Sequence, residues 1–216
     1  MRIAAVLLLL PPAAPAAAQE SLETKLVITQ EGRESGREEF TLRQGRGKGA
    51  PGSSLIAVAR YPATNPVLKL AATLERTPES ALAKFQLDVE GPNGTTVILA
   101  AGSGARLIVR TVAKGSEAGR ELPGGPDVVL LDDAVYSLYT AVVDLATPGG
   151  KSLTGVFPRT SRRASFSARK EPGGDSGTTR VTLSGDINGT VVTDAKGRLQ
   201  RLEFPGSGIL VTHAPD

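Results

Sequence analysis

"ALAKFQLDVEGPNGTTVILA" (residues 81–100) is the stretch on which the fold turns. Ala81, Ala83, Phe85, Leu87 and Val89 alternate with Lys84, Gln86, Asp88 and Glu90. A period of two puts each set on one face of a strand, so one face is expected to be buried and the other wet. Asn93-Gly94 follows, between "FQLDVE" and "TTVILA", and Asn-Gly readily takes the positive φ angles that a tight hairpin turn needs. A half-buried hairpin is the expectation.

The same grammar extends in both directions. Upstream, "VLKLAATLE" (67–75) sets Leu68, Leu70, Ala72 and Leu74 against Lys69, Thr73 and Glu75, and "SLIAVARY" (54–61) precedes it. "KLVITQ" (25–30) and "REEFTLRQ" (37–44) flank the polar, Gly-bounded "EGRESG", a second hairpin signal. Downstream come "GARLIVRTVA" (104–113), "SLTGVFP" (152–158), "RASFSARK" (163–170), "TTRVTLSG" (178–185), "GRLQRLEF" (197–204) and "GILVTH" (208–213). Asn188-Gly189 lies between two more β-rich runs. Both Asn-Gly pairs also fit the Asn-Gly-Thr glycosylation pattern, and the turn reading is preferred. Strands at steady spacing with hairpin turns describe an antiparallel meander.

One segment departs from this period. In "PDVVLLDDAVYSLYTAVVDLATPGG" (126–150), Val135, Leu138, Tyr139, Val142 and Leu145 fall at helical spacing. Asp132 or Asp133 suits the cap, and Pro148-Gly149-Gly150 ends the run. This predicts one amphipathic helix over 132–145, with residues 128–131 as a short strand or its lead-in. The expected fold is mainly β: a long curved antiparallel meander, half-barrel or open barrel, with that helix packed on the concave face.

Residues 1–18 are expected to be a signal peptide: Met1-Arg2, an apolar run from Ile3 to Leu10, Pro11-Pro12, then Ala16-Ala17-Ala18. That run is too short for a membrane span, which needs about 20 apolar residues. Cleavage after Ala18 would leave one β domain over 19–216. The protein is therefore expected to be periplasmic or secreted. With no cysteine, it can carry neither a disulfide nor the lipid-bearing cysteine of a bacterial lipoprotein. Removing Arg2 with the leader takes the formal charge from +3 to +2, too small a surplus to steer nucleic acid or a membrane. Aromatics make up 4% of the chain, with no Trp, which argues against stacking platforms for sugars or single strands.

Catalytic motifs do not survive their context. Gly174-Asp175-Ser176-Gly177 spells the nucleophile motif of chymotrypsin-like proteases, but that serine needs an upstream histidine base, and the one histidine, His213, is downstream. Gly, Asp, Ser and Pro are turn formers, so a loop is expected. His213 alone cannot build a zinc site. "GSGAR" (102–106) lacks the continuation of a phosphate-binding loop. No enzyme activity, metal or cofactor is expected. The most unusual local composition is "KSLTGVFPRTSRRASFSARK" (151–170), which holds Lys151, Arg159, Arg162, Arg163, Arg169 and Lys170 and no acid. Arginines projecting together from such a hairpin suit a carboxylate or phosphate head group; the bland alternative is a solvated face paired with neighbouring acids.

The opening "LVITQEGRESGREEFTL", the mid-chain "DDAVYSLYTAVVDL" and the closing "TDAKGRLQRLEFPGSGILVTH" together resemble the half-barrel superfamily of exported bacterial proteins that includes the periplasmic lipoprotein carriers. The resemblance implies a long sheet curled around a helix with an apolar concavity, and a lipid or acyl ligand class. The leading expectation is a non-enzymatic carrier-like binding protein for a hydrophobic ligand, with Tyr136, Tyr139, Arg159, Arg162, Arg163 and Arg169 as candidate contacts. The alternative is a structural or interaction module of the cell envelope. Neither a nucleic-acid partner nor a membrane span is expected, and the oligomeric state is open.

Overall fold

The computed structural model describes residues 19–45, 52–174 and 177–214. Residues 1–18, the expected leader, lie outside that set. The described residues form fifteen strands: β1 (Gln19–Gln30), β2 (Arg33–Gly45), β3 (Ser54–Tyr61), β4 (Leu68–Arg76), β5 (Leu82–Gly91), β6 (Gly94–Ser103), β7 (Arg106–Ala113), β8 (Ser116–Pro123), β9 (Val128–Leu130), β10 (Lys151–Phe157), β11 (Arg162–Pro172), β12 (Thr179–Gly185), β13 (Gly189–Thr193), β14 (Leu199–Phe204) and β15 (Ile209–His213). All belong to one open sheet, ordered β8 to β1, then β15 down to β9. β1 and β15 pair in the middle, joining two meanders, while β8 and β9 are the outer edges.

The period-two pattern builds the core directly. Leu22, Leu42, Leu55, Leu74, Phe85, Ala100 and Val109 pair strand to strand from β1 to β7 in a single inward row. All seven are buried, and together they remove a broad apolar face from water, the main favourable term in folding. The next row runs Thr24, Phe40, Ala57, Ala72, Leu87, Ile98, Thr111, Ala118. A third contains Leu26, Glu38, Ala59, Leu70 and Val89.

The helix differs from its expectation in length, cap and character. A 3₁₀ turn, Tyr136–Tyr139, runs into α1 (Thr140–Leu145), ten residues in place of the fourteen over 132–145. Asp132 does not cap it. Its Oδ1 accepts the Ala134 N–H at 2.8 Å, and an isolated bridge joins Asp132 to Val135, so 132–135 is a tight turn. Nor is the element amphipathic: every residue from Tyr136 to Val143 is buried. Strands from both meanders explain this, since the 3₁₀ turn contacts β2 and β3 and α1 contacts β11. Ala57 and Ala59, small residues on the inward face of β3, leave room for it.

The sheet is also not wholly antiparallel. β9 pairs with β10 in parallel, Val129 opposite Gly155. A parallel pair needs a crossover, and the helical segment between them supplies it. β8 has no counterpart in the sequence reading. Leu122 is its one large aliphatic side chain, and most of the strand is exposed, so no alternation marks it.

Turn chemistry follows the expected places with local corrections. In the β5–β6 turn it is Gly94, at φ +100°, that takes the positive angle. In the β12–β13 turn the positive angle sits at Gly185, not at Asn188-Gly189; Asn188 instead hydrogen-bonds both the N–H and the carbonyl of Gly185. The alternation in 81–90 also breaks at one end. A register shift sets Arg76 opposite Leu82 and skips Ala83, so Leu82 packs against the core in place of Ala81 and Ala83. That is the usual effect of a β-bulge on facing.

Candidate functional site

Two of the four candidate arginines converge on the helical segment. Arg159, in the β10–β11 turn, binds Asp132 through both forks, Nε to Oδ2 at 2.8 Å and Nη2 to Oδ1 at 2.9 Å. The Asp132 side chain is 1% exposed and that of Arg159 26%. The pairing with Asp132 raises the Arg159 pKa still further, so its charge is fixed. Arg162 opens β11 on the inward parity, donates to Asp133 at 2.6 Å and lies 3.5 Å over the Phe157 ring. Arg163 and Arg169 have the opposite parity and point from the outer face. Arg163 has no ion-pair partner among the described residues, and Arg169 meets only Glu171, at 3.8 Å. The six candidates therefore do not form one site.

Tyr136 and Tyr139 do come together, around a residue the sequence reading passed over. The Phe204 ring centroid lies 5.1 Å from that of Tyr139 and 6.4 Å from that of Tyr136. These rings, with Ile187 and Ile209, floor a cleft of about 340 Å³. Asp133, Arg162, Asp186 and Asn188 stand on its rim. Ile187 reaches the floor from the β12–β13 turn and is buried there. The Tyr136 hydroxyl is spent on the Asp133 carbonyl, at 2.9 Å, whereas that of Tyr139 has no protein partner among the described residues. Burial raises the pKa of both phenols, so both stay protonated.

Behind the cleft lies a sealed carboxyl group. Glu38 of β2, 0% exposed, accepts the N–H of Tyr136 at 2.7 Å and of Ser137 at 3.0 Å. It thus caps the 3₁₀ turn from a strand almost a hundred residues away, satisfying donors that would otherwise be orphaned. The Ser137 hydroxyl is near enough to favour the ionised form but is not aligned for a hydrogen bond. Burial pushes Glu38 up to about 7, against those donors, with Asp132 adding to the rise. Tyr61 of β3 fastens the same turn, donating to the Ala134 carbonyl at 2.8 Å. At the far end of α1, Arg76 binds Asp144 at 2.8 Å and the Ser80 carbonyl at 2.7 Å. Burial lowers the Arg76 pKa and raises that of Asp144, each moderated by the other.

Glu38 and Arg76 carried a readable signal. Each continues an apolar inward row, after the parity of Phe40 and Leu42 and of Leu70, Ala72 and Leu74, and a charge in such a register needs a buried partner. Phe204 carried none, because its partners are distant in sequence. These contacts anchor the helical segment to β2, β3 and β4. His213 sits at the end of β15 opposite Leu26. Asp175 and Ser176 lie outside the described residues. Among the described residues no three His, Cys, Asp or Glu side chains group as a metal site. The chain matches no known family model, no curated protein and no solved structure.

Proposed function

We propose that this is an exported, non-enzymatic, carrier-like protein: a half-barrel whose sheet curls around the helical segment and binds a hydrophobic ligand at the Tyr136–Tyr139–Phe204 cleft. The observation that carries this reading is the Tyr139 hydroxyl, unpartnered among the described residues, beside an aromatic and aliphatic floor. An apolar pocket with a few placed polar groups is the usual form of a small-molecule site. Residues 1–18 support export. Arg162 is already held by Asp133, and Asp186 adds a second carboxylate to the rim. An anionic head would compete with both, so this cleft suits an acyl or lipid-like ligand with an uncharged or zwitterionic head.

Titrating delipidated protein with a neutral fluorescent acyl probe tests this. Saturable binding is expected, weakened at least about tenfold in Tyr139→Ala, the loss of a large ring contact and a hydrogen bond. Equal binding by wild type and variant would end the proposal. A second reading, an envelope interaction module, draws support from Leu138 and Val142, which are fully buried on the inward side of the sheet. Native mass spectrometry showing a bound protein and no small molecule would favour it.

A further inference from the structure

The first inward row of the sheet ends in a charge. From Leu22 to Val109 it is apolar, and its last member, opposite Val109 on the edge strand β8, is Arg120. The acids of β8 do not neutralise this residue. Glu117 pairs with Arg110 and Glu121 with Arg106, on the other parity. Arg120 Nη2 donates to the Pro158 carbonyl at 2.9 Å, reaching across to the turn that follows β10 at the opposite end of the sheet. Its Nε and Nη1 have no acceptor among the described residues. Neither does Nη1 of Arg159, whose other nitrogens hold Asp132.

Between these two guanidinium groups lies a slot of about 410 Å³. Val89, Ile98 and Ala118 make its wall, and Thr96 and Thr111 add hydroxyls with no protein partner among the described residues. Two guanidinium groups meet one carboxylate, Asp132, leaving a net positive charge beside an apolar surface. This charge balance is the reverse of that at the Tyr139 cleft. A guanidinium fork matches a carboxylate in shape as well as in sign.

We propose that this slot binds a small organic carboxylate with an apolar tail, its head on Arg120 and Nη1 of Arg159 and its tail along Val89, Ile98 and Ala118. The site is separate from the Tyr139 cleft and does not depend on the function proposed for it.

Calorimetric titration of the purified protein with octanoate and with octanol tests the assignment. With the cleft disabled by Tyr139→Ala, octanoate should bind saturably, at least about fivefold tighter than octanol. Arg120→Gln should cost octanoate about tenfold, the effect of a charge-assisted hydrogen bond, with little change for octanol. Tyr139→Ala should leave octanoate affinity unchanged, which separates this site from the cleft. No saturable octanoate binding, octanol within fivefold of octanoate in Tyr139→Ala, or an Arg120→Gln variant with less than a fivefold loss would each overturn the proposal. So would a loss in Tyr139→Ala. Circular dichroism checks that Arg120→Gln and Tyr139→Ala fold.

Discussion

Arg159 and Arg163 stand four residues apart in one basic run, and the two regions they occupy treat the same side chain in opposite ways. In the β10–β11 turn, Arg159 closes over a carboxylate that is 1% exposed and so becomes part of the framework under the helical segment. On the outer face of β11, Arg163 stands in solvent with no ion-pair partner among the described residues. Residue type and local charge density are the same for both. Strand parity and the location of Asp132 make the difference. A basic cluster in sequence is therefore not a basic site, because a pleated strand sends neighbours to opposite faces.

The largest expected break in this comparison is Arg159→Ala. It leaves Asp132 buried and unpaired and should cost about 3 kcal/mol of unfolding free energy, measured by urea denaturation. A loss below about 1 kcal/mol would mean that Asp132 finds other compensation.

Glu38 sharpens the contrast, being a buried acid held by backbone donors with no arginine partner. Its pKa is about 7 in the fold, against an ordinary value of 4.5. Between those values the folded chain holds one more proton than the unfolded chain. This group's contribution therefore falls as pH rises through that window, by about 3 kcal/mol, and is flat above it. Glu38→Gln should remove that slope. Unfolding curves at pH 4.5, 6 and 8 for both proteins would reveal it, and parallel curves would refute it.

The smallest effect belongs to the outer face. Arg163→Ala and Arg169→Ala should each change stability by less than about 0.5 kcal/mol in the same denaturation assay, as exposed charges generally do. A larger loss in either would mean that the outer face is not simply solvated.

Legibility tracked the range of the interactions involved. The β5–β6 hairpin, the β1–β2 hairpin and the inward set of β4 follow from alternation and turn residues alone, since neighbours within about ten residues dictate them. The β1–β2 turn is Glu31-Gly32, and Arg33–Gly36 of "EGRESG" belong to β2. β8 was invisible because a mostly exposed edge strand needs no alternation. Helical spacing predicts fourteen residues, 132–145, where the structure forms ten. Asp132 looks like a local cap, and only the structure reveals it turned toward Arg159 while Glu38 does the capping. Of the candidate site, Tyr136, Tyr139 and Arg162 share the cleft. Phe204, Ile187 and Asp186 reach it through strand pairings that join residues far apart in the chain.

Composition and period-two patterning by themselves determined that this chain is mainly β, where most strands turn, and which faces are apolar, because backbone geometry converts local order into facing. Only the tertiary structure decided which arginines meet carboxylates, that the crossover segment is buried from Tyr136 to Val143, and that an otherwise apolar row ends on Arg120. Those outcomes depend on which ends of a long sheet come near each other, and no single stretch of sequence contains that distance.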